Sequence, residues 1–253
     1  MLKKPRGPED PDAETEAASI RTTVKLMSEV RVVRRWNRAP PAAGLAAPAV
    51  VVPPPFDVAG HDAAVVAIGA STGGPPAIFQ LLSGLSTAFP TPILLVQHIS
   101  AGFTAGFAEW LAAASGLPVH VAHGGEIPLP GHVYVAPDDH HMRVGPRGEL
   151  EMSQDGPLNG LRPSVGVLFR SVAERFGHRA IGVLLTGMGR DGADELKLMA
   201  DRGALTVAQD EESSVVFGMP AEAIRLGAAR FILPPHKIAE LLTTVVRRGK
   251  GTS

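Results

Sequence analysis

The sequence predicts an α/β fold: a doubly wound, mostly parallel sheet with helices on both faces and a small β-hairpin. Three observations carry this. Short apolar runs rich in β-branched residues recur along residues 61–248 and alternate with helical periodicity. Several are apolar without interruption, such as Ile93-Leu94-Leu95-Val96 and Ile181-Gly182-Val183-Leu184-Leu185, as expected of strands buried on both faces of a parallel sheet. Two of the runs lead into turns of small residues, 69–74 and 186–192.

In chain order, Val65, Val66 and Ile68 form the first strand, and Pro75 and Pro76 sit where a helix over 75–82 would begin. The run 93–97 is the second strand, ending at His98. A helix over 106–114 precedes a short strand at 119–121, and Val133-Tyr134-Val135-Ala136 is the next strand. Met142-Arg143-Val144 and Leu150-Glu151-Met152 flank Gly145-Pro146-Arg147-Gly148, a hairpin pattern. Arg162-Pro163-Ser164 opens a helix whose Val165, Leu168, Phe169, Val172 and Phe176 make one apolar stripe. A strand over 180–185, a helix over 193–200, a strand over 205–208, a helix over 220–226, a strand over 231–233 and a helix over 235–247 complete the domain.

Residues 1–60 differ in kind. They hold nine of the 23 prolines with much alanine between, a composition that favours an extended or disordered linker over a core. Within them, 20–36 mixes apolar residues with Arg31, Arg34 and Arg35 and reads as a short amphipathic docking helix or an inert tail. Residues 249–253 are a tail. The absence of cysteine excludes thiolate catalysis, and a net charge of −1 without a long basic run argues against nucleic acid. No apolar stretch reaches membrane-spanning length; a cytoplasmic protein without membrane insertion is the expectation.

Gly69-Ala70-Ser71-Thr72-Gly73 fits a nucleophile elbow, a serine at a sharp strand-to-helix turn. The same stretch also suits a Gly-rich turn that binds phosphate at a helix N-terminus, which would make the chain a nucleotide-binding or scaffolding domain. Open parallel sheets bind ligands at the carboxyl ends of their strands. Ser71 and His98 end the first two strands there, and Asp191 lies in the loop after the 180–185 strand. Serine, histidine and carboxylate on one rim suit acyl transfer: His98 takes the hydroxyl proton and Asp191 orients the imidazole. Thr72 N–H is the oxyanion donor expected of an elbow, with a second from the 187–189 loop. Against this, His98 reads equally as a hydrogen-bonded loop residue, and Asp191 as a charge placed at a helix start. Asp138, Asp139, His140 and His141 are adjacent and lack a spaced partner, so no metal site is expected.

Six segments in order resemble the catalytic domain of the chemotaxis protein-glutamate methylesterases: 69–74, Val96-Gln97-His98, 133–137, Arg162-Pro163-Ser164-Val165, Leu185-Thr186-Gly187-Met188-Gly189 with Asp191-Gly192, and 208–220. The resemblance implies hydrolysis of glutamate methyl esters on chemoreceptors, and for some members deamidation of glutamines, without cofactor or metal. It puts the triad on Ser71, His98 and Asp191 and the second oxyanion donor on Met188 N–H. Departures are Ser100-Ala101 for Pro-Pro, Arg190 for Asp or Asn, Leu161 for His, and Gly166 for Asp; Arg190 is close enough to the triad to affect substrate preference. The resemblance also implies a receiver domain that 1–60 does not supply, so the expected activity is constitutive and indifferent to phosphodonors.

Overall fold

The computed structural model describes residues 62–248, so the linker 1–60 with its 20–36 stretch and the tail 249–253 lie outside the described residues. Nine strands and six α-helices follow in order: β1 (Val65–Ala70), α1 (Gly74–Ser83), β2 (Ile93–Gln97), α2 (Thr104–Ser115), β3 (Val119–Val121), β4 (Val133–Val135), β5 (His141–Val144), β6 (Leu150–Ser153), α3 (Val165–Phe176), β7 (Ala180–Leu184), α4 (Ala193–Asp201), β8 (Leu205–Gln209), α5 (Met219–Arg225), β9 (Phe231–Leu233) and α6 (Pro235–Arg248). Seven strands form one sheet in the order β3-β4-β2-β1-β7-β8-β9, while β5 and β6 pair separately. Every pairing in the large sheet is parallel, and the hairpin is antiparallel.

Pleating sorts the apolar runs onto two faces. Val66 and Ile68 of β1 pack with Ile78 and Leu81 of α1, Leu111 of α2 and Ile238 and Leu242 of α6. Val65 and Ala67 point the other way, toward Leu168 and Phe169 of α3, Leu196 of α4, Ala223 of α5 and the hairpin residues Met142 and Leu150. The strands are therefore buried on both sides, which is why the sequence shows apolar runs rather than alternation.

From β1 the sheet extends one way through β2 and β4 to the edge strand β3, which precedes β4 in the chain, and the other way through β7 and β8 to β9. Its order reverses at β1, and such a switch point leaves a crevice beyond the strand ends. Most element boundaries match the sequence reading within a few residues. One differs: the helix expected to open at Arg162-Pro163-Ser164 starts at Val165. The Arg162–Pro163 peptide is cis, and Ser164 stays extended at φ −115°, ψ 135°, as the residue before the first turn.

The apolar stripe of α3 is the largest single contributor on its face, and Phe169 within it is fully buried. Phe169→Ala should lower the unfolding free energy by about 3–5 kcal/mol, the usual loss for an emptied aromatic site. Denaturant titration at constant m-value checks this.

Candidate active site

Ser71 follows β1 and His98 follows β2, and the register that pairs Ala70 with Gln97 sets them opposite one another. The ladder continues one step further, with His98 N–H donating to Ala70 C=O at 3.0 Å. The Gln97 side chain fastens the two turns, its amide nitrogen donating to Ser71 C=O at 2.9 Å and His98 C=O at 2.8 Å. From the other side, Ser71 N–H donates to Thr186 C=O at 3.0 Å and so ties the serine to the loop after β7.

The glycines around Ser71 serve different ends. Gly73 sits at φ 80°, a left-handed conformation that turns the chain into α1 and that a side chain would strain. Gly69 lies within β1, where the need is for room: a Cβ there would stand 2.2 Å from Val165 Cγ1. Only glycine lets the start of α3 approach β1 so closely. The sequence pattern alone places both glycines in the turn.

Asp191 brings the third element in. Its Oδ2 lies 2.9 Å from His98 Nε2 and accepts the Val165 N–H at 2.7 Å. Its Oδ1 accepts the Ser164 hydroxyl at 2.7 Å and the Gly166 N–H at 3.1 Å. Asp191 does sit near a helix start, yet its carboxylate serves the N-terminus of α3 rather than that of α4, which follows it. Burial would raise its pKa, but the bonds from His98, Ser164, Gly166 and Val165 outweigh this and hold the carboxyl below the ordinary aspartate range. An ionised carboxylate on Nε2 fixes that nitrogen as the N–H of the neutral imidazole and leaves Nδ1 as the free base.

Two backbone N–H groups remain beside the serine. Neither Thr72 N–H nor Met188 N–H has a partner among the described residues, and both residues are exposed. The Met188 loop is pressed against the Ser71 turn, since a Cβ on Gly187 would lie 2.7 Å from Ser71 Cβ. Thr186 braces that loop: its hydroxyl donates toward Thr72 and Val216 C=O and accepts the Val216 N–H at 2.9 Å. Ser71 Oγ has no hydrogen bond among the described residues.

The acidic and histidine run after β4 is spent on structure. Asp138 accepts from Gly102 N–H and the Thr104 hydroxyl, Asp139 pairs with Arg162, His140 bonds its own turn, and His141 contacts Gly156 C=O and Ser164 N–H. Among the described residues no three metal-binding side chains gather in one place. Arg190 is exposed and holds Asp194 of its own turn.

A family model described as CheB methylesterase matches residues 66–242. The chain belongs to the CheB methylesterase family. A protein-glutamate methylesterase/protein-glutamine glutaminase of Nitrosospira multiformis is 53% identical over 250 residues, covering 97% of this chain and 68% of the relative. The protein-glutamate methylesterase FrzG of Myxococcus xanthus is 47% identical over 219 residues, 86% of this chain and 62% of FrzG. The crystal structure of the Thermotoga maritima CheB methylesterase catalytic domain superposes with a TM-score of 0.70 at 38% identity, over 73% of this chain and 99% of that one. The chain thus spans about two thirds of the length of these relatives and nearly all of a solved catalytic domain.

For a CheB methylesterase fold, residue-by-residue reading of the sequence passed over Ser164, Thr186, Gln97 and Gln209. Gln209 Oε1 receives the Thr186 N–H at 2.8 Å. A signal existed: Gln97, Thr186 and Gln209 are polar residues at or just beyond the carboxyl ends of apolar strands, where burying a polar side chain is unfavourable unless it is hydrogen-bonded.

Because the folded protein holds the Asp191 carboxyl below its ordinary range, stability is linked to pH through it. A folded pKa below the unfolded one contributes stability above the unfolded value, about 3.9, and loses it as pH falls through the folded value. Wild-type stability should therefore drop steeply below about pH 4. In Asp191→Asn that drop should be shallower, as unfolding midpoints measured from pH 6 to pH 2.5 would reveal.

Proposed function

We propose that the chain hydrolyses the 5-O-methyl esters of glutamates on methyl-accepting chemoreceptors, met on their cytoplasmic side, with Ser71, His98 and Asp191 as the catalytic triad. The observation that carries the reading is the His98–Asp191 hydrogen bond, set beside the Ser71 turn at the switch point of the sheet. Membership of the methylesterase family supports the reaction class. The catalytic domain in this reading is 61–248.

Ser71 Oγ attacks the ester carbonyl carbon while its proton passes to His98 Nδ1. Asp191 stabilises the imidazolium through Nε2, without itself taking the proton. The carbonyl oxygen becomes an oxyanion, received by the N–H groups of Thr72 and Met188. Collapse breaks the carbon–methoxy bond, and the imidazolium proton leaves with methoxide as methanol. Water then attacks the glutamyl-serine ester, gives its proton to Nδ1, and Ser71 departs with that proton to leave a glutamate side chain. The same steps with ammonia as leaving group deamidate a glutamine, an activity named for the Nitrosospira relative. No step calls on a metal or cofactor.

Ser71→Ala should abolish methanol release from methyl-labelled receptor by ~10³-fold or more while the protein stays folded. Turnover at the wild-type rate in that variant would sink the mechanism. Because the bonds on Asp191 keep it ionised, the rate should fall toward acid as an imidazole base protonates. A kcat/KM profile flat from pH 5 to 8 would argue against a histidine base. Asp191→Asn should cost as much as ~10⁴-fold in kcat, by favouring the wrong imidazole tautomer.

A further inference from the structure

Behind the carboxylate that orients His98 stands another. A Cβ built on Gly166 would lie 2.7 Å from Oε2 and 3.0 Å from Cδ of Glu195, and 3.2 Å from Oδ1 of Asp191. The two carboxylates face each other across a space that any side chain at 166 would claim. Glu195, in the first turn of α4, is buried, which is uncommon for glutamate unless it is paired. Its partner is Arg170 of α3, whose Nη2 donates to Oε1 at 2.9 Å.

Arg170 is four residues after Gly166 on the same helix, the spacing at which side chains of one helix face meet. A carboxylate at 166 would pair with Arg170 within α3. This chain has glycine there. The acid reaches Arg170 from α4 instead, through room that the glycine leaves. The two helices are also joined at their starts, since Asp191 precedes α4 and accepts Ser164, Val165 and Gly166 from the start of α3. The Arg170–Glu195 pair is a second tie one turn further along, and it balances a carboxylate that would otherwise stand unpaired near Asp191.

We infer that Glu195 is a positioning residue for the ester hydrolysis proposed above: by holding Arg170 across the α3–α4 contact, it keeps Ser164, Val165 and Gly166 at the start of α3 in register on Asp191 and so keeps the imidazole aimed. In this chain it does from α4 what an acid at position 166 would do from α3. The inference rests on the reading of Ser71, His98 and Asp191 as the triad.

The test is methanol release from methyl-labelled receptor by the full chain, with kcat and KM determined separately and a thermal melt for each variant. Glu195→Ala should lower kcat roughly tenfold with KM near wild type, the kind of loss that a small displacement of catalytic groups produces. Gly166→Asp alone should lose more, because its side chain runs into the Glu195 carboxylate and adds a second buried negative charge. The double variant Gly166→Asp/Glu195→Ala, which returns the acid to α3, should recover to within about threefold of wild-type kcat. A role in packing alone would lower the melting temperature of Glu195→Ala and leave the kcat of folded protein unchanged, and that result overturns the inference. So does a double variant no more active than Glu195→Ala, or a Gly166→Asp variant as active as wild type. Should Gly166→Asp not fold, the double variant decides. A wild-type chain that releases no methanol, or a Ser71→Ala variant that matches it, strikes instead at the proposed function and removes the inference with it.

Discussion

The Asp191 carboxylate is buried and ionised, and much of the site's order follows from how that is made tolerable. An unpaired carboxylate in such a place would cost several kcal/mol. Hydrogen bonds to a charged group contribute about 1.5–3 kcal/mol each, and Asp191 receives four, from His98, Ser164, Val165 and Gly166. Two of these come from the N-terminus of α3, whose dipole adds to the attraction. One charge thereby ties the end of β2, the start of α3 and the loop before α4 to a single point.

That arrangement needs α3 to lie unusually close to the sheet, and small residues make it possible. Gly69 admits Val165, and Gly166 admits Glu195. The Ser71 turn is held in turn by Gln97 from β2 and by Thr186 from the loop after β7. The site is thus assembled from β1, from the two strands that flank it and from the crossover helix joining the halves of the sheet. A change in any of these elements reaches the imidazole through hydrogen bonds rather than through contact with a substrate.

Much of the fold was legible because burial on both faces leaves a strong mark on sequence. The runs at 93–97 and 180–185 read as buried strands, and the stripe from Val165 to Phe176 reads as a helix. The places where reading and structure part are polar. Ser164 looked like the opening of a helix, yet it remains extended and gives its hydroxyl to a residue 27 positions away. Gly69 looked like a turn glycine and is a strand glycine. In both cases the partner is distant in the chain, and periodicity carries no information about it.

What the sequence determined by itself was the alternation of strand and helix, the turns at their carboxyl ends and the serine, histidine and aspartate standing near them, since these depend on local patterning and on a general property of open parallel sheets. What tertiary structure decided was which nitrogen of His98 faces Asp191, which helix that carboxylate caps, and which acid Arg170 holds. Each of these depends on a close approach between elements far apart in the chain. Glycines at 69 and 166 permit those approaches, and a sequence shows the missing side chain without showing what fills its place.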